Sequence, residues 1–251
     1  MTFISLQPDH GRARLDFRAG TIIPRVISQG VLSARVALVA GGALLLGGDE
    51  VSIDITVGEG CTLELEDIGG TVAYDADGER SRWTVDVVVE TGGVFLWHGL
   101  PMIVADGANV VRTIRMALAA NAVACLRETV VLGRVGESGG RVHQRTNITI
   151  AGVPLFVEDL AVGGGVDIPG LIGPNRVLDS VLSAGVRGLA VLPPVPVLEF
   201  ENAGSLARYL GMAMHTTPLD AIWESWSRNI HSTSPGMVRE REVLHRRGVF
   251  G

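Results

Sequence analysis

Cysteine is nearly absent from this chain: it occurs only at Cys61 and Cys125, far apart in sequence. A disulfide framework is therefore not expected, and the default is a reduced, cytoplasmic protein. Charge is also sparse. Only 19% of residues are charged and the net charge is -6, so there is no global basic field to attract nucleic acid. No apolar run is long enough to span a bilayer; the longest, Val36 to Leu46, is too short and is interrupted by glycine. Met1 to His10 lacks a basic region followed by an apolar stretch, so no signal peptide is expected there. Aromatic content is 5%, which argues against a carbohydrate-binding β-sandwich, since such modules need exposed aromatic platforms. The chain has no G-x-S-x-G elbow, no H-E-x-x-H and no C-x-x-C. Its histidines, at positions 10, 98, 143, 215, 231 and 245, share no close metal-ligand spacing.

What is abundant is glycine, 33 of 251 residues, set between short β-branched runs rather than in one block. That pattern belongs to many strands joined by tight turns. Val51 to Val57 reads V-S-I-D-I-T-V, a strict alternation with one apolar and one polar face. Cys61 to Leu65, Trp83 to Glu90, Phe95 to His98, Val110 to Leu118, Val123 to Leu132, Val142 to Ile150 and Pro154 to Val162 are further strand candidates. A strand every 8 to 14 residues or so implies an all-β sandwich or a strand-stacked solenoid, not βαβ units. No sequence repeat of fixed period is visible, so a regular solenoid of identical rungs is not expected.

The C-terminal third has a different texture. Leu171 to Val186 reads as a strand-loop unit, and the proline-bearing stretch Val191 to Phe200 as an edge strand. Two helices are expected. One spans Ala203 to Met214, with Leu206, Tyr209, Leu210 and Ala213 at helical spacing and Ser205 as N-cap. The other spans Pro218 to Ile230, with Leu219, Ile222, Trp223 and Trp226 on one face. The expected organisation is a single β domain over residues 1–251. Residues 200–232 form its helical segment, and 233–251 are a polar, arginine-bearing flexible tail.

Chemistry is harder to find. The glycine run from Gly41 to Gly48 lacks the lysine and hydroxyl residue of a phosphate-binding loop and precedes a strand. The remaining polar features are carboxylates inside β-rich segments: Asp49 at a strand edge, Glu128 beside a T-V-V-L run, and Glu158 and Asp159 within an apolar stretch. Such a charge faces water or needs a partner, here Arg127, Arg134 or Arg145. The sharper reading is a row of hard oxygen ligands lining a wet interior path for a divalent cation, held weakly enough for transfer. Cys61 reads as a small buried hydrophobe, and His98 and His143 as hydrogen-bonded or surface residues. A β-sandwich ligand-binding module without a metal role, and a hydrolase with a dispersed catalytic set, are the competing readings.

Several motifs occur in order. Gly47-Gly48-Asp49 is followed by V-G-E-G-C-T-L (Val57 to Leu63), then by L-P-M-I-V-A-D-G-A within Trp97 to Ala108. R-E-T-V-V-L-G-R-V-G-E spans Arg127 to Glu137, and R-V-H-Q-R-T-N-I-T-I-A-G-V-P-L-F-V-E-D-L spans Arg141 to Leu160. This ordered set resembles the UreD (UreH) family of urease accessory proteins from about Gly41 to Leu160, most strongly at Arg127 to Leu160. Where the family carries a lysine-aromatic-tyrosine-arginine signature, Gly69 to Asp75 keeps only Tyr74, and Leu96 stands where a glutamate usually precedes the tryptophan. The resemblance implies an extended, multi-stranded, helicoid-type all-β fold with a few helices and no catalytic activity. It implies a scaffold that binds UreF directly and UreG through UreF, docks on apo-urease, and passes nickel through an internal tunnel. No tightly bound cofactor is implied, only transient Ni2+. By motif, the tunnel carboxylates correspond to Asp49, Glu128 and Glu158. Tyr74, Trp223 and Trp226 are candidate partner contacts, the two tryptophans packing a helix onto the sheet or onto UreF.

Overall fold

A computed structural model describes residues 1–165, 171–191 and 195–234. The strands in chain order are β1 Thr2–Gln7, β2 Arg14–Arg18, β3 Ile22–Gln29, β4 Ser33–Ala40, β5 Glu50–Val57 and β6 Thr62–Asp67. Next come β7 Thr71–Ala73, β8 Ser81–Val89, β9 Val94–His98, β10 Met102–Val104, β11 Asn109–Leu118 and β12 Val123–Leu132. The last are β13 Arg141–Ile150, β14 Val153–Gly163, β15 Val177–Ala184, β16 Val197–Glu199 and β17 Gly204–Gly211, followed by helix α1 Leu219–Thr233. They form two sheets. The first runs β14-β13-β11-β8-β5-β1-β2, and the second runs β16-β17-β15-β12-β9-β6-β4-β3, with β10 bridging β12 and β7.

The all-β reading holds, and its form is solenoid-like. From β4 to β13 the chain crosses between the sheets and lays each new strand parallel to the one a turn earlier. Val51 faces Trp83, Trp83 faces Arg112 and Arg112 faces Gln144. In the second sheet Thr62 faces Val94, which faces Val123. One rung thus takes about 30 residues, within the range of solenoid repeats. The rungs share no run of identical residues, so the period escapes a search for sequence repeats. It survives in the turns. Cys61 N donates to Gly58 O, Gly93 N to Glu90 O and Ala122 N to Ala119 O. The third residue of each turn is left-handed: Gly60 (φ 64), Gly92 (φ 66) and Asn121 (φ 59). That is the position at which a type II turn favours Gly or Asn. The stack ends when Ala151 and Gly152 (φ 48 and 79) turn β13 back into antiparallel β14, the backbone signs of a type I′ hairpin.

Between the sheets lies the main core. Val51, Ile53, Ile55 and Val57 all point into it, as their alternation predicts. A second cluster covers the outer face of the second sheet, where Leu219, Ile222, Trp226 and Ile230 of α1 pack on Val94, Leu96, Cys125, Val181 and Ala207.

One of the two expected helices is a strand. Ala203 to Met214 contains β17, paired antiparallel to β15 over its whole length. Its apolar residues also satisfy a two-residue period: Leu206 faces the main core, while Ala207 and Tyr209 join the cluster under α1. Burial on both faces and a waiting ladder override the weak helical spacing. Ser205 is no N-cap; its hydroxyl donates to Glu199 and accepts from Gly188 N. A single 3-10 turn, Met214–Thr216, follows, and the second expected helix is α1. The edge strand expected near Phe200 is β16, three residues long. The tail beyond Ser234 lies outside the described residues.

Candidate functional site

The inward face of an apolar solenoid should carry no charge, yet several inward positions here do. On β11 the buried series Val110, Ile114, Met116 and Leu118 is broken by Arg112, only 8% exposed. On β6 the series Leu63, Leu65 ends in Asp67. On β12, Leu126 and Val130 flank Glu128, and on β17 Leu206 is followed two residues later by Arg208. On β14, Glu158 precedes Leu160 and Val162 in the same phase.

Register gathers these residues. Glu128 faces Ser180, which faces Arg208, across three neighbouring strands. Asp67 lies one position beyond the Glu66–His98 pair, and Glu128 one beyond the His98–Arg127 pair, so both belong to the same cross-strand row. Gly99 stands between them. A Cβ there would lie 2.5 Å from the Arg127 carbonyl oxygen and 3.8 Å from Asp67 Oδ2, so only glycine fits. From the opposite sheet come Arg112, Glu158 and the buried Gln144 and Thr146.

The two ion pairs of this row differ in kind. Arg208 grips Glu158 with a two-pronged fork, Nη1 to Oε1 at 2.6 Å and Nη2 to Oε2 at 3.0 Å, while its Nε donates to Ser180 Oγ. That arrangement is geometrically locked. Arg112 approaches Glu128 through Nη2, at 2.6 Å to Oε1. The contact is ionic but off the hydrogen-bond axis: Arg112 Nε and Nη1 and Glu128 Oε1 are buried with no hydrogen-bond partner among the described residues. Asp67 accepts from Trp97 Nε1 at 3.0 Å and from Leu100 N at 2.9 Å. Burial pushes its pKa up; these two bonds and the Arg112 charge pull against that. The row thus sets three carboxylates against two guanidinium groups.

Asp49 sits apart, at the solvent-reaching end. It continues the inward phase of β5 beyond Val51, half-exposed, and its carboxylate accepts Leu46 N at 2.9 Å. Glu128 and Glu158 are therefore brought into one inter-sheet row and Asp49 is not. The arginines expected as partners are mostly engaged elsewhere. Arg134 pairs with Glu137, and Arg145 with Asp159, which His143 also contacts. Arg127 points outward, where it pairs with buried Asp179 and with Asp220 of α1. Sequence reasoning passed over Arg112, Arg208 and Asp67. Arg112 and Asp67 were detectable as charges in the apolar phase of a period-two strand; Arg208 was not, because the residues of β17 fit a helical period equally well.

On the outer face Trp223 stacks on His98 with ring centroids 5.1 Å apart, and burial together with the Arg127 charge lowers the His98 pKa. Trp223 also lines a cleft of about 330 Å³ with Arg35, Glu64, Glu224, Arg228 and His231. Trp226 is buried and donates to Leu189 O, so it anchors the helix. Tyr74 is partly exposed beside Leu45, whose carbonyl accepts its N–H. Cys61 and Cys125 are buried free thiols. Among the described residues no three His, Cys, Asp or Glu side chains converge to hold a metal ion, and no helix is long and apolar enough to cross a membrane.

Comparison with known proteins agrees with the ordered motifs. A family model described as UreD urease accessory protein matches residues 22–235. Urease accessory protein UreD 1 of Streptomyces griseus subsp. griseus is 40% identical over 205 residues, 79% of each chain. Urease accessory protein UreD of Streptomyces avermitilis is 34% identical over 223 residues, 82% of this chain and 83% of its own. Urease accessory protein UreD 3 of Streptomyces griseus subsp. griseus is 31% identical over 226 residues, 83% of both.

Proposed function

Because the chain belongs to the UreD urease accessory protein family, a non-catalytic family that serves urease maturation, we propose that it acts there as a scaffold and nickel conduit. In this reading it binds UreF directly and UreG through UreF, docks on apo-urease, and lets Ni2+ pass between its two sheets. One observation carries the reading: Glu128 and Glu158 occupy inward positions of an otherwise apolar solenoid, in a single polar row. Charge in such a place is costly and gives the fold nothing that an aliphatic pair would not. Carboxylates without thiolate or imidazole partners hold nickel weakly, which suits passage rather than storage. Asp49, in the same inward phase but reaching solvent, marks an end of the path.

The scaffold role draws on the exposed aromatics. Tyr74 and the Trp223 cleft offer partner contacts, and Trp226 supports the latter through the helix it anchors. The test is co-expression of the full chain with urease and the remaining accessory proteins. Glu128→Gln and Glu158→Gln should each lower nickel per urease while leaving co-purification with UreF unchanged. Urease with a full nickel complement, matured by the variant altered at both positions and at Asp49→Ala, refutes the conduit. Failure of the wild-type chain to co-elute with UreF refutes the scaffold.

A further inference from the structure

We propose that Arg112 is a two-position counter-ion: it rests on Glu128 when the interior is empty and moves to Asp67 when a divalent cation occupies Glu128. The inference depends on the reading of Glu128 as a nickel contact and adds what that reading leaves out, namely how an occupied carboxylate becomes free.

A cation cannot join Glu128 while a guanidinium holds it. Arginine does not step aside by losing its proton, because its pKa stays above the physiological range. It must move as a charge, and in a low-dielectric interior it must move onto another anion. The structure offers one. Asp67 shares a cross-strand row with Glu128, separated from it by Gly99, which presents no side chain between them. The Arg112 charge already acts on the Asp67 carboxyl. The bonds from Trp97 Nε1 and Leu100 N use one lone pair on each Asp67 oxygen, so both oxygens keep capacity for an incoming N–H.

Arg112 is also the arginine free to make the move. Its contact with Glu128 runs through Nη2, and among the described residues Nε and Nη1 have no hydrogen-bond partner although nine-tenths of the residue is buried. Arg208, by contrast, is fixed by three hydrogen bonds to Glu158 and Ser180. The charge count fits as well. Three carboxylates against two guanidinium groups leave one negative charge unmatched, so a divalent cation on Glu128 takes the row from −1 to +1 once Arg112 has moved to Asp67.

The experiment measures nickel per urease after co-expression of the full chain, as wild type, Asp67→Asn, Glu128→Gln, and Asp67→Asn combined with Arg112→Gln. Asp67→Asn should lower nickel about tenfold or more, corresponding to the loss of at least about 1.4 kcal/mol from the exchange, with assembly and unfolding midpoint near wild type. The combined variant should regain most of the nickel, since no guanidinium remains to be displaced. A purely structural role for Asp67 would instead lower the unfolding midpoint of Asp67→Asn, and nickel would follow that midpoint across the variants. If Asp67→Asn loads nickel normally while Glu128→Gln does not, the exchange is wrong and the conduit stands. If Glu128→Gln loads normally, Glu128 is not a nickel contact, and the exchange falls with the reading it rests on. Should Asp67→Asn not fold, Arg112→Gln decides: nickel at or above the wild-type level supports the exchange, and a fall matching Glu128→Gln overturns it.

Discussion

Replacing Asp179 by alanine should be the most damaging single change on the outer face of the second sheet. Asp179 is fully buried. Its Oδ1 accepts Thr129 Oγ1 at 2.8 Å, its Oδ2 accepts Thr217 Oγ1 at 2.6 Å, and Arg127 donates to both oxygens at 3.4 and 3.0 Å. Alanine leaves the Arg127 guanidinium, 6% exposed, with Asp220 as its one anion among the described residues. Removing one partner of a buried pair costs about 3–5 kcal/mol, against a folded stability of about 5–15 kcal/mol for a typical domain. Asp220→Ala is the internal control. Asp220 is 73% exposed and Arg127 keeps Asp179, so the loss should stay below about 1 kcal/mol. Urea unfolding followed by tryptophan fluorescence reads both variants, and it also reads helix α1, because Trp226 is buried only while α1 is docked. Asp179→Ala should shift the native emission to the red as Thr217, just ahead of the helix, is released. If Asp179→Ala costs no more than Asp220→Ala, this network does not hold the helix and the reasoning fails.

Two further outcomes follow from buried titratable groups. Burial, with a smaller push from the Glu90 charge, raises the Cys61 thiol to about 11, and burial alone raises Cys125 further. Neither should react with an aromatic disulfide reagent at pH 8 until the chain unfolds, when both should; one fast thiol in the native protein would contradict this burial. The Asp67 pKa is raised by burial, so the folded state holds that proton more tightly than the unfolded chain. Its contribution to stability is full below the ordinary carboxylate range and is lost as pH rises through the folded pKa. Asp67→Asn should flatten that part of the profile of urea midpoint against pH, from about pH 4 upward, and an unchanged profile would show that Asp67 is not the group responsible.

How much of this was legible depends on the range of the interaction concerned. Strand β5 is written in its own residues, since Val51, Ile53, Ile55 and Val57 alternate without a break and all four are buried. Strand β17 is not, because Leu206 to Ala213 satisfies either period and only the ladder with β15 decides. The coil was hidden because its rungs share a backbone position rather than a residue: Gly60, Gly92 and Asn121 hold the same left-handed place in successive turns. The carboxylates could be singled out, yet their partners could not. Glu158 meets Arg208 from 50 residues away, and Glu128 meets Arg112 from the opposite sheet. Such pairings are properties of register, which no local pattern encodes.

The two charged networks lie back to back on one strand. Arg127 points outward from β12 to Asp179 and the helix, and its neighbour Glu128 points inward to Arg112. Strand β15 repeats the arrangement: Ser180 points inward, directly opposite Glu128, and Asp179 points outward, opposite Thr129 and two register positions from Arg127. The outer network is saturated: every Asp179 oxygen has two donors. The inner one leaves Arg112 Nε, Arg112 Nη1 and Glu128 Oε1 without a hydrogen-bond partner among the described residues. A saturated buried network rigidifies the strands that carry it, whereas an unsaturated one keeps the capacity to exchange partners. The helix-covered face thereby holds β12 and β15 still, and the capacity to rearrange is confined to the side chains of the interior row.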